Sequence, residues 1–131
     1  MYSSSGSLRY FTDPYKLIVE VDPELTKYYK SFIPKWLSVN QQRYPAHISI
    51  VRKEIPVRTE FWGKHEGQEI EFKYSNVIQV GRVYVWLNVF SEQVTAIRTE
   101  LGLPPTSATS RPPDGEPCFH ITLANMKQSV G

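Results

Sequence analysis

From Val83 to Phe90 the chain reads Val-Tyr-Val-Trp-Leu-Asn-Val-Phe, and this unbroken alternation constrains the fold more than any other stretch. Successive residues of a strand point to opposite faces. Val83, Val85, Leu87 and Val89 therefore form an apolar row, and Tyr84, Trp86 and Asn88 take the other face. Ser91 follows as a helix cap, with Val94, Ile97 and Leu101 on one side of the predicted helix. Gly102 stands where a left-handed C-terminal residue is wanted, and Pro104 lies just beyond. A Pro- and Ser-rich stretch, 104–117, then leads into a predicted strand over Phe119–Ala124.

The first half has the same order. Tyr15–Val21 is a strand by its β-branched content and alternation. Asp22 and Pro23 start a helix that carries Leu25, Tyr28, Tyr29, Phe32 and Ile33 at helical spacing, and Pro34 ends it. A polar connection through Asn40, Gln41, Gln42 and Arg43 precedes a strand over Ala46–Arg52. Glu69–Tyr74 alternates as a further strand, and Gly81 marks a turn. Strand, helix and strand, written twice, predict an α+β fold of two lobes related by a rough twofold.

At 131 residues the chain is one domain, 1–131. Residues 1–9 read as a polar, flexible tail with neither the basic flank nor the apolar stretch of a signal peptide, and 104–117 as a mobile loop. No apolar run approaches the ~20 residues a membrane span needs, and the single Cys118 favours a reducing, cytoplasmic setting. Cys118 reads as a small buried residue beside Phe119 rather than a nucleophile. A net charge of +2, from 15 basic and 13 acidic residues, is too balanced for a footprint on duplex nucleic acid but is compatible with a small anionic ligand.

Each final strand carries a histidine followed two residues later by a hydroxyl: His47 and Ser49 in the first, His120 and Thr122 in the second. The spacing puts each imidazole and hydroxyl on one face, with Ala46, Ile48 and Ile50, or Phe119, Ile121 and Leu123, on the other. Phosphodiester cleavage needs a base for the attacking oxygen and an acid for the leaving oxygen, and histidine serves as either near neutrality. Hydroxyls beside them can donate to the non-bridging oxygens as charge builds there. The ordinary alternative is a pair of partly buried histidines bonded to nearby hydroxyls. No metal-ligand spacing and no nucleophile elbow accompany them, and His65, in a Gly-bounded turn, reads as a solvated loop residue.

Two His-x-Ser/Thr motifs in a short duplicated chain resemble the 2H phosphoesterase superfamily, with the phage anti-CBASS phosphodiesterases as the nearer likeness. The segments that carry the resemblance are 15–22, 42–49, 86–90 and 118–122. It implies antiparallel sheets forming a central groove with helices packed outside, and it implies no cofactor and no metal. The implied substrate is a cyclic di- or trinucleotide messenger of antiphage immunity. The ribose 2′-hydroxyl would attack the scissile phosphate, and water would open the resulting cyclic phosphate. His47 and His120 would be base and acid in either order, and Ser49 and Thr122 the phosphate donors. Lys16 is a candidate to neutralise a phosphate and Tyr15 beside it a second carried-over contact, although an exposed strand-edge lysine serves equally well. Tyr84 and Trp86 are candidate base-stacking residues, or else ordinary packing. The competing readings are a 2H phosphodiesterase acting on RNA 2′,3′-cyclic ends or 2′,5′-oligoadenylate, and a non-catalytic protein that sequesters a nucleotide.

Overall fold

A computed structural model describes residues 1–41, 45–106 and 118–127. Eight strands run in chain order: β1 (Tyr2–Phe11), β2 (Lys16–Val21), β3 (Val39–Gln41), β4 (His47–Arg52), β5 (Glu69–Tyr74), β6 (Gln79–Val80), β7 (Tyr84–Phe90) and β8 (Phe119–Met126). Helix α1 (Pro23–Lys30) follows β2 and helix α2 (Glu92–Glu100) follows β7.

The expected two-lobed α+β fold with a groove between sheets does not form. Strands β8, β4, β2, β1, β5 and β7 pair in that order, all antiparallel, and β7 pairs back onto β8 to close a barrel. Strands β3 and β6 are added on β8 and β7. The physical reason is that both halves bury their apolar rows in one interior. The β2–β4 pair and the β5–β7 pair are joined on one side by β1 and on the other by β8. Leu17, Val19, Ile48, Ile50, Ile70, Phe72, Val89 and Ile121 thus meet in a single core cluster.

Strand β1 also overturns the expected tail over 1–9. Ser3, Ser4, Ser5 and Ser7 bring no apolar row, yet Tyr2–Ser7 pair with β5 and Gly6–Phe11 with β2. Two sheet edges on either side offer hydrogen bonds along this segment, and that satisfaction outweighs its weak local preference. Gly6 is required at the crossing. A Cβ there would collide with the Glu20 carbonyl oxygen and lie 2.6 Å from Val19 Cγ1.

Both helices start as their sequences predict. Asp22 accepts from Glu24 N–H at 2.9 Å, and the Ser91 hydroxyl accepts from Val94 N–H at 3.3 Å. Helix α2 sends Val94, Ile97 and Leu101 into the main core. Gly102 takes a φ of +78°, as a C-terminal glycine should. Helix α1 stops at Lys30, short of the predicted stripe, so Tyr28 and Phe32 stand exposed while Tyr29 joins a second cluster with Val85, Leu87 and Leu123. Asn40 and Gln41, read as part of a polar connection, belong with Val39 to β3 instead. The rest of that connection, Gln42 and Arg43, and most of the loop over 104–117 lie outside the described residues.

The core is tied by one side chain that the sequence reading passed over. Arg98, fully buried on α2, donates from Nε to Pro104 O at 2.7 Å and from Nη1 to Ile50 O at 2.7 Å. Its Nη1 and Nη2 also hold Glu54 in a two-point ion pair at 2.8 and 2.9 Å. The end of β4 is thereby fixed to α2.

Candidate functional site

Strands β4 and β8 are neighbours, with Ile48 opposite Ile121 and both fully buried. Antiparallel pairing around that point sets His47 beside Thr122 and Ser49 beside His120. All four side chains lie on the outer face of the barrel and are half-buried. The two histidines occupy a diagonal of this patch, a relation that separates residues by about 7–8 Å between backbones and brings long side chains within reach. The fold therefore brings the two remote motifs together, on the outside of a barrel rather than in a groove between sheets.

The neighbouring strands complete the face. On β2, Glu20 is opposite His47 and Ile18 opposite Ser49. On β7, Trp86 is opposite Thr122 and Asn88 opposite His120. One row therefore reads Glu20, His47, Thr122, Trp86, and the next Ile18, Ser49, His120, Asn88. Ile18 is buried but belongs to neither core cluster, so it gives this outer patch an apolar floor of its own.

The two imidazoles differ in environment. His47 Nδ1 lies 2.8 Å from Pro45 O. A carbonyl can only accept, so Nδ1 carries the proton and Nε2 is the accepting nitrogen of the neutral ring. His120 packs against Trp86, with ring centroids 5.2 Å apart and a 45° tilt. Burial pulls the pKa of His120 below its ordinary value by penalising the charged form. The Trp86 indole N–H donates to Asn88 Oδ1 at 2.9 Å. Gly81 lies against the other end of that ring, where a Cβ would come within 2.8 Å of Trp86 Cζ3.

The four substrate candidates divide. Trp86 is in the patch, and Tyr84 is on the same face one step further along β7, opposite Asn125. Lys16 shares the face of Ile18 and Glu20 at the start of β2, and its ammonium lies 5.4 Å from the centre of the Phe11 ring. Tyr15 is turned to the other side. Its ring packs edge-on to Trp62 at 5.0 Å, beside Tyr10, so the structure does not bring it to the histidine patch. The residues that sequence reasoning missed are Glu20 and Asn88. Both are given by counting in twos along β2 and β7, once the neighbouring strands are known.

Other sequence expectations meet the structure differently. Cys118 is fully buried and burial pushes its thiol up, which fits packing rather than nucleophilic chemistry. His65 is no solvated loop residue: Nε2 meets Glu100 Oε1 at 3.0 Å and Nδ1 the Gln68 amide oxygen at 3.0 Å. Desolvation alone would raise the Glu100 carboxyl, but hydrogen bonds and charge from Lys64 and His65 together bring it below its usual range. A broad depression over β1, β5 and the start of α2, lined by Ser3, Ser5, Glu71, Lys73 and Gln93, includes none of the histidines. Carboxylates and hydroxyls line that depression, whereas the barrel's outer patch sets two imidazoles beside two hydroxyls. Among the described residues, no three His, Cys, Asp or Glu side chains cluster as metal ligands would, and no helix is long and apolar enough to cross a membrane.

No protein-family model matches the chain, and neither a curated protein nor a solved structure matches it.

Proposed function

We propose that this chain is a metal-independent phosphodiesterase that cuts 3′,5′-linked cyclic di- and trinucleotides at the patch of His47, Ser49, His120 and Thr122. The observation that carries the reading is the pairing of Ile48 with Ile121, which sets both His-x-hydroxyl motifs side by side on one face. Two imidazoles on a diagonal can flank a single phosphorus, and two hydroxyls on the other diagonal can hold its non-bridging oxygens.

In this reading His120 is the base, because its burial favours the neutral form at neutral pH. Its lone pair takes the proton of the ribose 2′-hydroxyl as that oxygen bonds to phosphorus. The bond from phosphorus to the 5′ oxygen breaks, and His47 supplies the proton to that oxygen from Nε2, its Nδ1 proton being held by the Pro45 carbonyl. The ring is now a linear oligonucleotide ending in a 2′,3′-cyclic phosphate. Water opens it with the roles reversed: His47 accepts a proton from water and His120 returns one to the 2′ oxygen. Ser49 and Thr122 donate to the phosphate oxygens throughout. Tyr84, for a base, and Lys16, for a further phosphate, are the remaining contacts proposed on the same outer face. The likeness of the motifs to phage anti-CBASS enzymes supports a role in destroying immune messengers in the host cytoplasm, and the two-lobed architecture forms no part of the proposal.

The test is incubation with a panel of cyclic di- and trinucleotides in EDTA, with His47→Ala and His120→Ala as controls. The proposal expects linear products from the wild type and none from either variant, with affinity largely kept. Turnover only of RNA 2′,3′-cyclic ends or 2′,5′-oligoadenylate would move the assignment to those substrates. Binding without any product would make the chain a sequestering protein.

A further inference from the structure

Trp86 is held at three points. Its indole N–H donates to Asn88 Oδ1 at 2.9 Å, its six-membered ring rests against Gly81, and it packs at a 45° tilt on the His120 ring with centroids 5.2 Å apart. An indole N–H can only donate, so the oxygen of the Asn88 amide must face Trp86 and its NH2 must face away. Asn88 is also the residue directly opposite His120 on the neighbouring strand. A ring fixed in this way is a wall rather than a mobile stacking plate.

We infer that Asn88 is a positioning residue of the site: by tethering Trp86 it sets the orientation and the dryness of the His120 imidazole. The inference rests on the phosphodiesterase reading for its consequence but not for its geometry. Water excluded by the indole would otherwise solvate the imidazolium, so the wall favours the neutral ring. That agrees with the downward displacement that burial gives His120. The other ionisable groups on this face are His47 and Arg52 on β4, Glu20 and Lys16 on β2, Arg9 on β1 and Tyr84 on β7, while Cys118 lies buried two residues before His120. None of these is altered by changing Asn88, so a displacement seen in such a variant reports the tether.

The variants are Asn88→Ala, which removes the acceptor, and Trp86→Phe, which keeps a ring but removes the N–H. In the full-length unliganded protein, NMR titration of the histidine rings reads the His120 midpoint without any catalysis. The tether predicts that each variant raises that midpoint toward the ordinary value, and that the double variant goes no further than the larger single effect. In the active enzyme, the acid limb of the kcat/KM profile would move upward by the same amount. The Trp86 indole N–H resonance should lose its hydrogen-bonded shift in Asn88→Ala and keep it in Asn88→Asp, which retains an acceptor. A wild-type His120 midpoint in both Asn88→Ala and Trp86→Phe overturns the inference, whether or not the protein cuts nucleotides. A raised midpoint in the variants, with no nucleotide cleavage by the wild type, would instead leave the tether standing and remove the phosphodiesterase reading.

Discussion

Replacing Arg98 by alanine should be among the most damaging single changes outside the histidine patch. The guanidinium is fully buried and makes four contacts of 2.7 to 2.9 Å, two to carbonyls of Pro104 and Ile50 and two to the Glu54 carboxylate. Truncation would strand a mostly buried carboxylate and two carbonyls, and breaking one side of a buried pair costs about 3–5 kcal/mol. That is a large share of the ~5–15 kcal/mol that holds a domain folded. It corresponds to a fall in Tm of about 10–20 °C for a chain of this length. Arg98→Met keeps the apolar stem and should cost less, and adding Glu54→Ala to Arg98→Ala should return part of the loss. Urea denaturation followed by circular dichroism gives all four values. A loss below ~1 kcal/mol in Arg98→Ala, or strictly additive effects with Glu54→Ala, would refute the claim that this pair pins α2 to β4.

Gly6→Val should prevent or severely weaken barrel closure, because the new Cβ meets the Glu20 carbonyl and Val19. A truncation of residues 1–9 should likewise fail to give a cooperative melt, since β1 joins β2 to β5. Ser49→Ala and Thr122→Ala should each lower kcat by about 10–10³ while leaving thermal stability nearly unchanged, and Thr122→Ser should retain most activity. His120 predicts a pH slope in stability. Its folded pKa lies below the ordinary 6.5 because burial penalises the cation. Between those two values the unfolded chain binds more protons, so stability rises with pH across that window and falls on acidification through it. Denaturation midpoints for wild type and His120→Gln across pH 4–8 (a range taken about that ~6.5 value) should show this part of the slope vanish in the variant.

Much of the strand content is legible because alternation is a local property. Glu69–Tyr74 and the run ending at Phe90 form where the pattern places them. Strand β1 is not legible, since Ser3–Ser7 becomes a strand only through two neighbours contributed by distant sequence. Closure is hidden for the same reason: nothing within β7 or β8 says that the two pair with each other. The twice-written order of elements suggests two lobes, whereas the apolar rows fill one interior. The site is partly legible. Period two places each histidine with its hydroxyl, but only the register of Ile48 on Ile121 sets the two motifs together. Tyr15 illustrates the limit of a carried-over contact, because its parity is opposite to that of Lys16 and it packs on Trp62 instead. Arg98 sat in view on the Val94 face of α2, where a charge within an apolar stripe signals a buried partner.

The most direct measurement of the central claim is phosphorus NMR of a 3′,5′-cyclic dinucleotide mixed with the protein in EDTA. Cutting at the His47–His120 patch predicts decay of the diester signal, a transient 2′,3′-cyclic phosphate signal and then a terminal phosphate, with none of this in His47→Ala. An unchanged diester signal at stoichiometric protein, or equal decay with the His47→Ala variant, contradicts it.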